Sequence, residues 1–151
     1  MNPTKKVLIL SKGRVIKELF TYINSVIENV EDFCNLGILL SRNGKYTRVK
    51  ARFSEQATKD LYGVIRKLRY FNLPTDCQWD LFDKFIQPVL LYSCEVWGYE
   101  QLEVIEKVHL RFLKFVLNLK SSTPNSMIYG ETGRFPLSIT VKTRMITYWT
   151  N

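Results

Sequence analysis

The chain is poor in the residues that bind metals and form covalent intermediates, with one histidine and three cysteines among 151 residues. Cys34, Cys77 and Cys94 are widely separated and lack the paired spacing of a zinc site, so they read as reduced, half-buried thiols. His109 falls on the apolar side of a helical pattern with no serine, cysteine or carboxylate motif to serve it. It reads as a packed side chain and not as a general acid or base. No glycine-rich phosphate loop is present, and Gly130 and Gly133 read as helix stops. The longest apolar stretch, Phe85 to Tyr99, is interrupted by Gln87, Pro88, Ser93 and Glu95 and falls short of the ~20 residues that span a bilayer. No secretory leader is visible, because Lys5 and Lys6 precede only a short apolar run before Ser11 and Lys12. The expectation is an intracellular protein of nucleus or cytoplasm, neither secreted nor membrane-bound. Internal repeats and low-complexity segments are also missing.

What the chain does have is apolar mass and positive charge. At 46% hydrophobic residues it can bury a real core in one domain or two small lobes. The net charge of +8 is unevenly spread. Residues 1–47 carry seven basic and four acidic groups, and residues 48–75 carry seven and two. Residues 76–106 reverse the sign, with Lys84 alone against seven acids, and residues 107–151 return to seven basic groups and one acid. A polyanion would therefore meet the two basic flanks and avoid the acidic middle.

Hydrophobic periodicity changes near Thr47. Before it, Val7 to Leu10, Val15 to Tyr22 and Phe33 to Leu40 read as short strands, and Arg42-Asn43-Gly44-Lys45 supplies a turn. After it, Phe53, Ala57, Leu61, Val64 and Leu68 recur at helical spacing, and Pro74 closes the segment. Thr75 and Gln78 fit a capping box. The next helix carries Leu81, Phe82, Phe85, Ile86, Val89 and Leu90 and should kink or stop near Pro88. A third follows with Leu102, Ile105, His109, Phe112, Val116 and Leu119. Ser122 or Thr123 can cap a helix over about 124–131 that Pro124 opens, Gly133 can end it, and Pro136 can open a last one over 136–150. The expected fold is α+β: short antiparallel strands over residues 1–47, then a bundle of about four to five helices over 48–151 that supplies most of the core. Trp79, Trp97 and Trp149 read as core or edge aromatics.

Three stretches carry more than generic punctuation. Leu117 to Leu137 reads Leu-Asn-Leu-Lys-Ser-Ser-Thr-Pro-Asn-Ser-Met-Ile-Tyr-Gly-Glu-Thr-Gly-Arg-Phe-Pro-Leu, and Leu81 to Gly98 ends in Leu91-Tyr92-Ser93-Cys94-Glu95-Val96-Trp97-Gly98. Ile105 to Lys114 forms the third. Together they resemble, in order, the region that follows the polymerase domain in reverse transcriptases of non-LTR (LINE-type) retrotransposons. Ser93 stands where that family has glycine. Leu8 to Gly13 and Phe33 to Ser41 resemble its last palm strands, with Asn35 in place of an aromatic and Thr4-Lys5-Lys6 where Lys-Thr-Lys is more usual. The resemblance implies a palm edge (1–47) and a thumb-like, connecting helical region (48–151) of an RNA-directed DNA polymerase, with palm and fingers upstream and a C-terminal side that continues. It also implies Mg2+ for the full-length polymerase and none for this chain. The family's aromatic-Ala-Asp-Asp turn is not in the sequence, and two-metal phosphoryl transfer needs such clustered carboxylates. Asp76, Asp80 and Asp83 share a helix face but read as a solvated acidic surface.

The candidate binding residues follow from the basic flanks. Arg52, Lys59 and Arg66 recur every seven residues on one helix face, over ~21 Å at 1.5 Å per residue, and Arg48 and Arg69 extend the row. Such a row can track roughly six nucleotides of a phosphate backbone. Lys107, Arg111 and Lys114 form a second basic edge. Charge rows taken alone are more often solvated faces, with Glu55 pairing to Lys59. The resemblance turns these rows toward an RNA–DNA or DNA duplex, which a thumb grips without reading sequence. The competing expectation is a small basic helical module with no nucleic-acid role, which pairs or self-associates through exposed apolar surface.

Overall fold

The computed structural model describes residues 8–10, 13, 20–22, 25–71 and 73–150. The fold is α+β, with short strands before Thr47 and helices after it. It divides into two compact units, Met1–Val49 and Lys50–Asn151.

In the first unit β1 (Leu8–Ile9) pairs with β4 (Glu28–Asn29), β2 (Thr21–Tyr22) with β3 (Ser25–Val26), and β5 (Asp32–Asn35) with β6 (Ile38–Ser41). The last two pairs are antiparallel as expected, whereas β1 and β4 run parallel. The apolar pattern over 33–40 suggests one strand, but the chain reverses within it. Leu36 and Gly37 both have positive φ, 48° and 83°, which is the signature of a two-residue turn that matches the twist of its flanking strands. The turn over Arg42–Lys45 leads out of this hairpin: the Gly44 amide donates to the Ser41 carbonyl at 2.9 Å and the Lys45 amide to Asn43 Oδ1 at 2.8 Å. Asp32 accepts from the Ser41 hydroxyl across the hairpin and from the Arg48 guanidinium, and these bonds hold its carboxyl below the usual aspartate range. Residues 15–19 of the expected second strand, and Thr4-Lys5-Lys6, lie outside the described residues.

The second unit holds the core. Helix α1 (Thr47–Tyr70) turns one stripe inward at helical spacing: Lys50, Ser54, Ala57, Leu61, Ile65 and Leu68. Val49 is buried before them, so polar Lys50 and Ser54 interrupt an apolar face, and Ile65 takes the place expected of Val64. Lys50 Nζ bonds Glu100 Oε2 at 2.6 Å and the Gln101 carbonyl at 3.0 Å, and Ser54 Oγ bonds the Val104 carbonyl at 3.2 Å. A buried ammonium is tolerated only with such partners.

The next helix is continuous through three parts, α2 (Thr75–Leu81), a π-turn (Phe82–Ile86) and α3 (Gln87–Leu90). The expected capping box does not form. Pro74 occupies the N-cap, Thr75 is already helical, and Gln78 instead donates to the Leu73 carbonyl at 2.9 Å. Pro88 neither stops nor sharply ends the helix, because the wider turn before it, closed by the Gln87 amide on the Phe82 carbonyl, accommodates a residue without an N–H. After Leu91 the chain turns through Ser93, at φ 52° and ψ 32°, into the short α4 (Cys94–Trp97). Trp97 is fully buried and donates to the Tyr92 carbonyl at 2.9 Å.

Helix α5 (Glu103–Val116) is the centre of the unit, with Ile105, Val108, His109, Leu110, Phe112 and Leu113 all buried. It ends earlier than its apolar pattern suggests. Asn118 takes φ 51°, the Leu119 amide returns to the Lys114 carbonyl at 2.8 Å, and Leu119 is left 40% exposed. That is the left-handed stop for which asparagine is the usual substitute for glycine. Helix α6 (Asn125–Thr132) starts after Pro124 with no side-chain cap from Ser122 or Thr123, runs through Gly130, and ends at left-handed Gly133. Helix α7 (Leu137–Thr150) packs on α4 through Val141. Counting α2 to α3 as one, the described residues form six helices.

One carboxylate ties three of them together. Glu106 on α5 accepts from His109 Nδ1 at 3.1 Å, from the Tyr129 hydroxyl of α6, and from the Leu137 and Ser138 amides of α7 at 3.3 and 3.4 Å. The free N–H groups that open α7 are therefore met by a side chain from another helix. His109 is packed, as expected, with its ring stacked on Phe82 at 5.2 Å between centroids, and the Glu106 bond fixes Nδ1.

Three outcomes test this packing. A Cβ on Gly98 would lie 2.2 Å from Val141 Cγ1 and 2.5 Å from the Cys94 carbonyl oxygen, so Gly98→Ala should cost about 1–3 kcal/mol in urea unfolding by prising α7 from α4. Ser93→Gly should instead stabilise by about 1 kcal/mol, since it removes a side chain from a left-handed position. Burial pushes the Glu106 carboxyl up, but bonds from His109, Tyr129 and the Leu137 amide outweigh it and hold it below the ordinary 4.5. Its contribution is complete above the unfolded value and lost as pH falls through the folded one. Unfolding free energy followed by circular dichroism should therefore decline in acid, and less steeply in Glu106→Gln.

Candidate nucleic-acid interface

Helices α1 and α5 run side by side in the same direction. Lys50 meets Gln101, Ser54 meets Val104, Tyr62 meets Arg111 and Phe115 meets Arg69, so contacts advance together along both helices. Above their contact lies an open trough of about 1270 Å³, lined by Tyr62, Ile65, Arg66 and Arg69 of α1, by Lys107, Leu110, Arg111, Lys114 and Phe115 of α5, and by Asn118, Leu119, Ser121 and Asn125 beyond it. It is larger than the roughly 300–1,000 Å³ usual for small-molecule pockets, which suits an extended ligand better than a compact one.

Five cations enter this trough and no acid does. Their spacing comes from helix geometry: Arg66 and Arg69 are three residues apart, and Lys107, Arg111 and Lys114 follow steps of four and three, so each set shares a face. Two of the guanidinium groups rest on aromatic rings, Arg69 over Phe115 at 5.8 Å and Arg111 over Tyr62 at 5.7 Å. Such stacking orients a guanidinium while leaving its N–H groups to a ligand. Lys114 Nζ donates to the Ser121 carbonyl at 2.6 Å and holds the loop at the trough's end. Among the described residues none of the five has a carboxylate partner.

The structure thus joins the two basic rows and divides the first. Arg66 and Arg69 stand opposite Lys107, Arg111 and Lys114. Arg52 lines a separate groove with Phe53, Gln56, Pro88, Val89 and Tyr92, and Lys59 pairs with Glu55 at 2.9 Å on an exposed face. Arg48 pairs with Asp32 in the first unit. Helix α5 already meets α1 at Ser54, so Lys59 lies within the shared span, but it pairs with Glu55, and of the α1 row only Arg66 and Arg69 line the trough. The cationic length is then set by α5, ~10 Å from Lys107 to Lys114 at 1.5 Å per residue, or about three phosphates of one strand. No family model, curated protein or solved structure matches the chain.

Tyr62, Phe115, Asn118, Ser121 and Asn125 were not singled out by the sequence. Tyr62 and Phe115 are each four residues from a trough arginine on the same helix, a spacing that offered a signal. Asn118, Ser121 and Asn125 offered none, since only the return of the chain after α5 brings them to the trough. Trp79 lies edge-on to Phe112 at 5.6 Å and under Arg134 at 5.4 Å, whereas Trp149 is 72% exposed on α7. None of the three tryptophans lines the trough.

Proposed function

We propose that the chain binds the sugar-phosphate backbone of nucleic acid in the α1–α5 trough, as the thumb-like part of a reverse transcriptase of the non-LTR retrotransposon kind. The observation that carries the binding is the set of five cations facing one open trough without an acid among them. Converging cations without an acid among them focus a positive potential that attracts a polyanion. The rings of Tyr62 and Phe115 already support arginines, so contact runs through guanidinium and ammonium groups to phosphates and carries little base sequence. The family reading draws further support from Ser93. It occupies a left-handed turn at the place where the resembling sequences have glycine, the residue that such a turn favours.

Polymerisation is not proposed for this chain. The Mg2+ implied for the full-length polymerase needs clustered, available carboxylates, and the acids here do not fit: Asp80 bonds Lys84 at 2.6 Å, and Asp83 bonds Arg134. Among the described residues no group of three or more histidine, cysteine or carboxylate side chains is placed to hold a metal ion. No described helix is long and apolar enough to cross a membrane.

The alternative, a protein-protein module, draws on α7, which exposes Ile139, Ile146, Tyr148 and Trp149. It predicts self-association, and a monomer at high concentration in light scattering counts against it.

Fluorescence anisotropy with a labelled RNA–DNA primer-template tests the binding. Affinity should fall steeply with salt, and Arg66→Ala/Lys107→Ala/Arg111→Ala should reduce the slope of log K against log salt by about two to three units. Arg52→Ala/Lys59→Ala should change it little. No binding of the intact chain at low salt, with its circular dichroism intact, would overturn the proposal.

A further inference from the structure

The trough is not uniform along its length. Arg66, Arg69, Lys107 and Arg111 have only donors to offer, and donors are what a phosphate needs. At the end beyond α5 the lining changes to uncharged residues, apolar Leu119 with exposed, polar Asn118, Ser121 and Asn125, from the stop of α5, the following loop and the first turn of α6. Lys114, bonded to the Ser121 carbonyl, fixes the loop that carries this end. Left-handed Asn118 sets where its own side chain enters.

A carboxamide or hydroxyl presents an acceptor as well as a donor. Facing phosphate alone, the acceptor oxygens would be idle or repelled. Facing a sugar hydroxyl, both roles are used, because that hydroxyl also donates and accepts. In a nucleic-acid backbone the group that alternates with phosphate and has this dual character is the ribose 2′-hydroxyl, which DNA lacks. We infer that the Asn118–Ser121–Asn125 end of the trough reads the 2′-hydroxyls of an RNA strand whose phosphates lie on the cations beside it. The inference rests on the backbone-binding reading above and gives that site a preference between the two sugars.

The test compares three labelled strands of one sequence, RNA, DNA and 2′-fluoro RNA, each annealed to the same DNA complement and titrated with the full chain by anisotropy at one salt concentration. The fluoro strand keeps the ribose-like pucker without a hydroxyl donor. The RNA hybrid should bind about five- to tenfold more tightly than either of the others, the effect of one or two net hydrogen bonds. Asn118→Gly/Ser121→Ala/Asn125→Ala should remove that difference and leave DNA affinity in place; glycine at 118 keeps the left-handed turn, and circular dichroism checks the fold. Equal affinity of the intact chain for all three duplexes overturns the 2′-hydroxyl inference and leaves backbone binding standing. An RNA preference that survives the triple substitution also overturns it. Failure to bind any of the three at low salt overturns the backbone-binding reading itself.

Discussion

The Glu106 carboxylate is the constraint on which the helical unit depends. It sits on the central helix and collects donors from its own turn, from Tyr129 and from the two amides that open α7. A carboxylate so placed is costly to bury, and the four donors offset the lost hydration only when α6 and α7 are both docked. The same contact raises the Tyr129 hydroxyl well above the ordinary tyrosine range, chiefly through burial and then through the hydrogen bond to Glu106. Docking of α6 in turn fixes where Asn125 reaches the trough, so the polar centre of the fold and its candidate binding surface share one support.

Charge is distributed in keeping with this division of labour. Away from the trough, five acids pair with cations: Asp32 with Arg48, Glu55 with Lys59, Asp80 with Lys84, Asp83 with Arg134, and Glu100 with buried Lys50. The exposed pairs add little stability, since water and side-chain entropy nearly cancel them. Their effect is local neutrality, whereas the α1–α5 trough is lined by five cations and no acid. Like charges held this close cost some stability, and the binding proposed above would give that cost a use.

Much of the fold was legible in the sequence. The change of period near Thr47, Ala57, Leu61 and Leu68 of the inward stripe of α1, the helix stop at Gly133 and the packed state of His109 follow from spacing and from the few residues that tolerate special backbone angles, whereas Phe53 and Val64 of that stripe are only half-buried. The misreadings have a common origin. A single apolar run over 33–40 hides a reversal, because Leu36 carries no turn signature and only Gly37 does. Pro88 signals a break that a π-turn absorbs. The capping residues near 75 and 122 are displaced by Pro74 and Pro124, which take the N-cap positions themselves.

The basic rows were legible as rows, and residue type with helical spacing was enough to find Arg66, Arg69, Lys107, Arg111 and Lys114. Sequence by itself determined that the chain has a strand-rich start, a helical remainder and two positively charged flanks, because composition and periodicity act locally. Tertiary structure decided which charges from separate segments meet. It set α5 beside α1, gave Arg48 to Asp32, and brought Asn118, Ser121 and Asn125 to the end of the trough. Those pairings depend on the direction in which two helices pack and on the donors gathered by Glu106, and neither is written in any one segment of the chain.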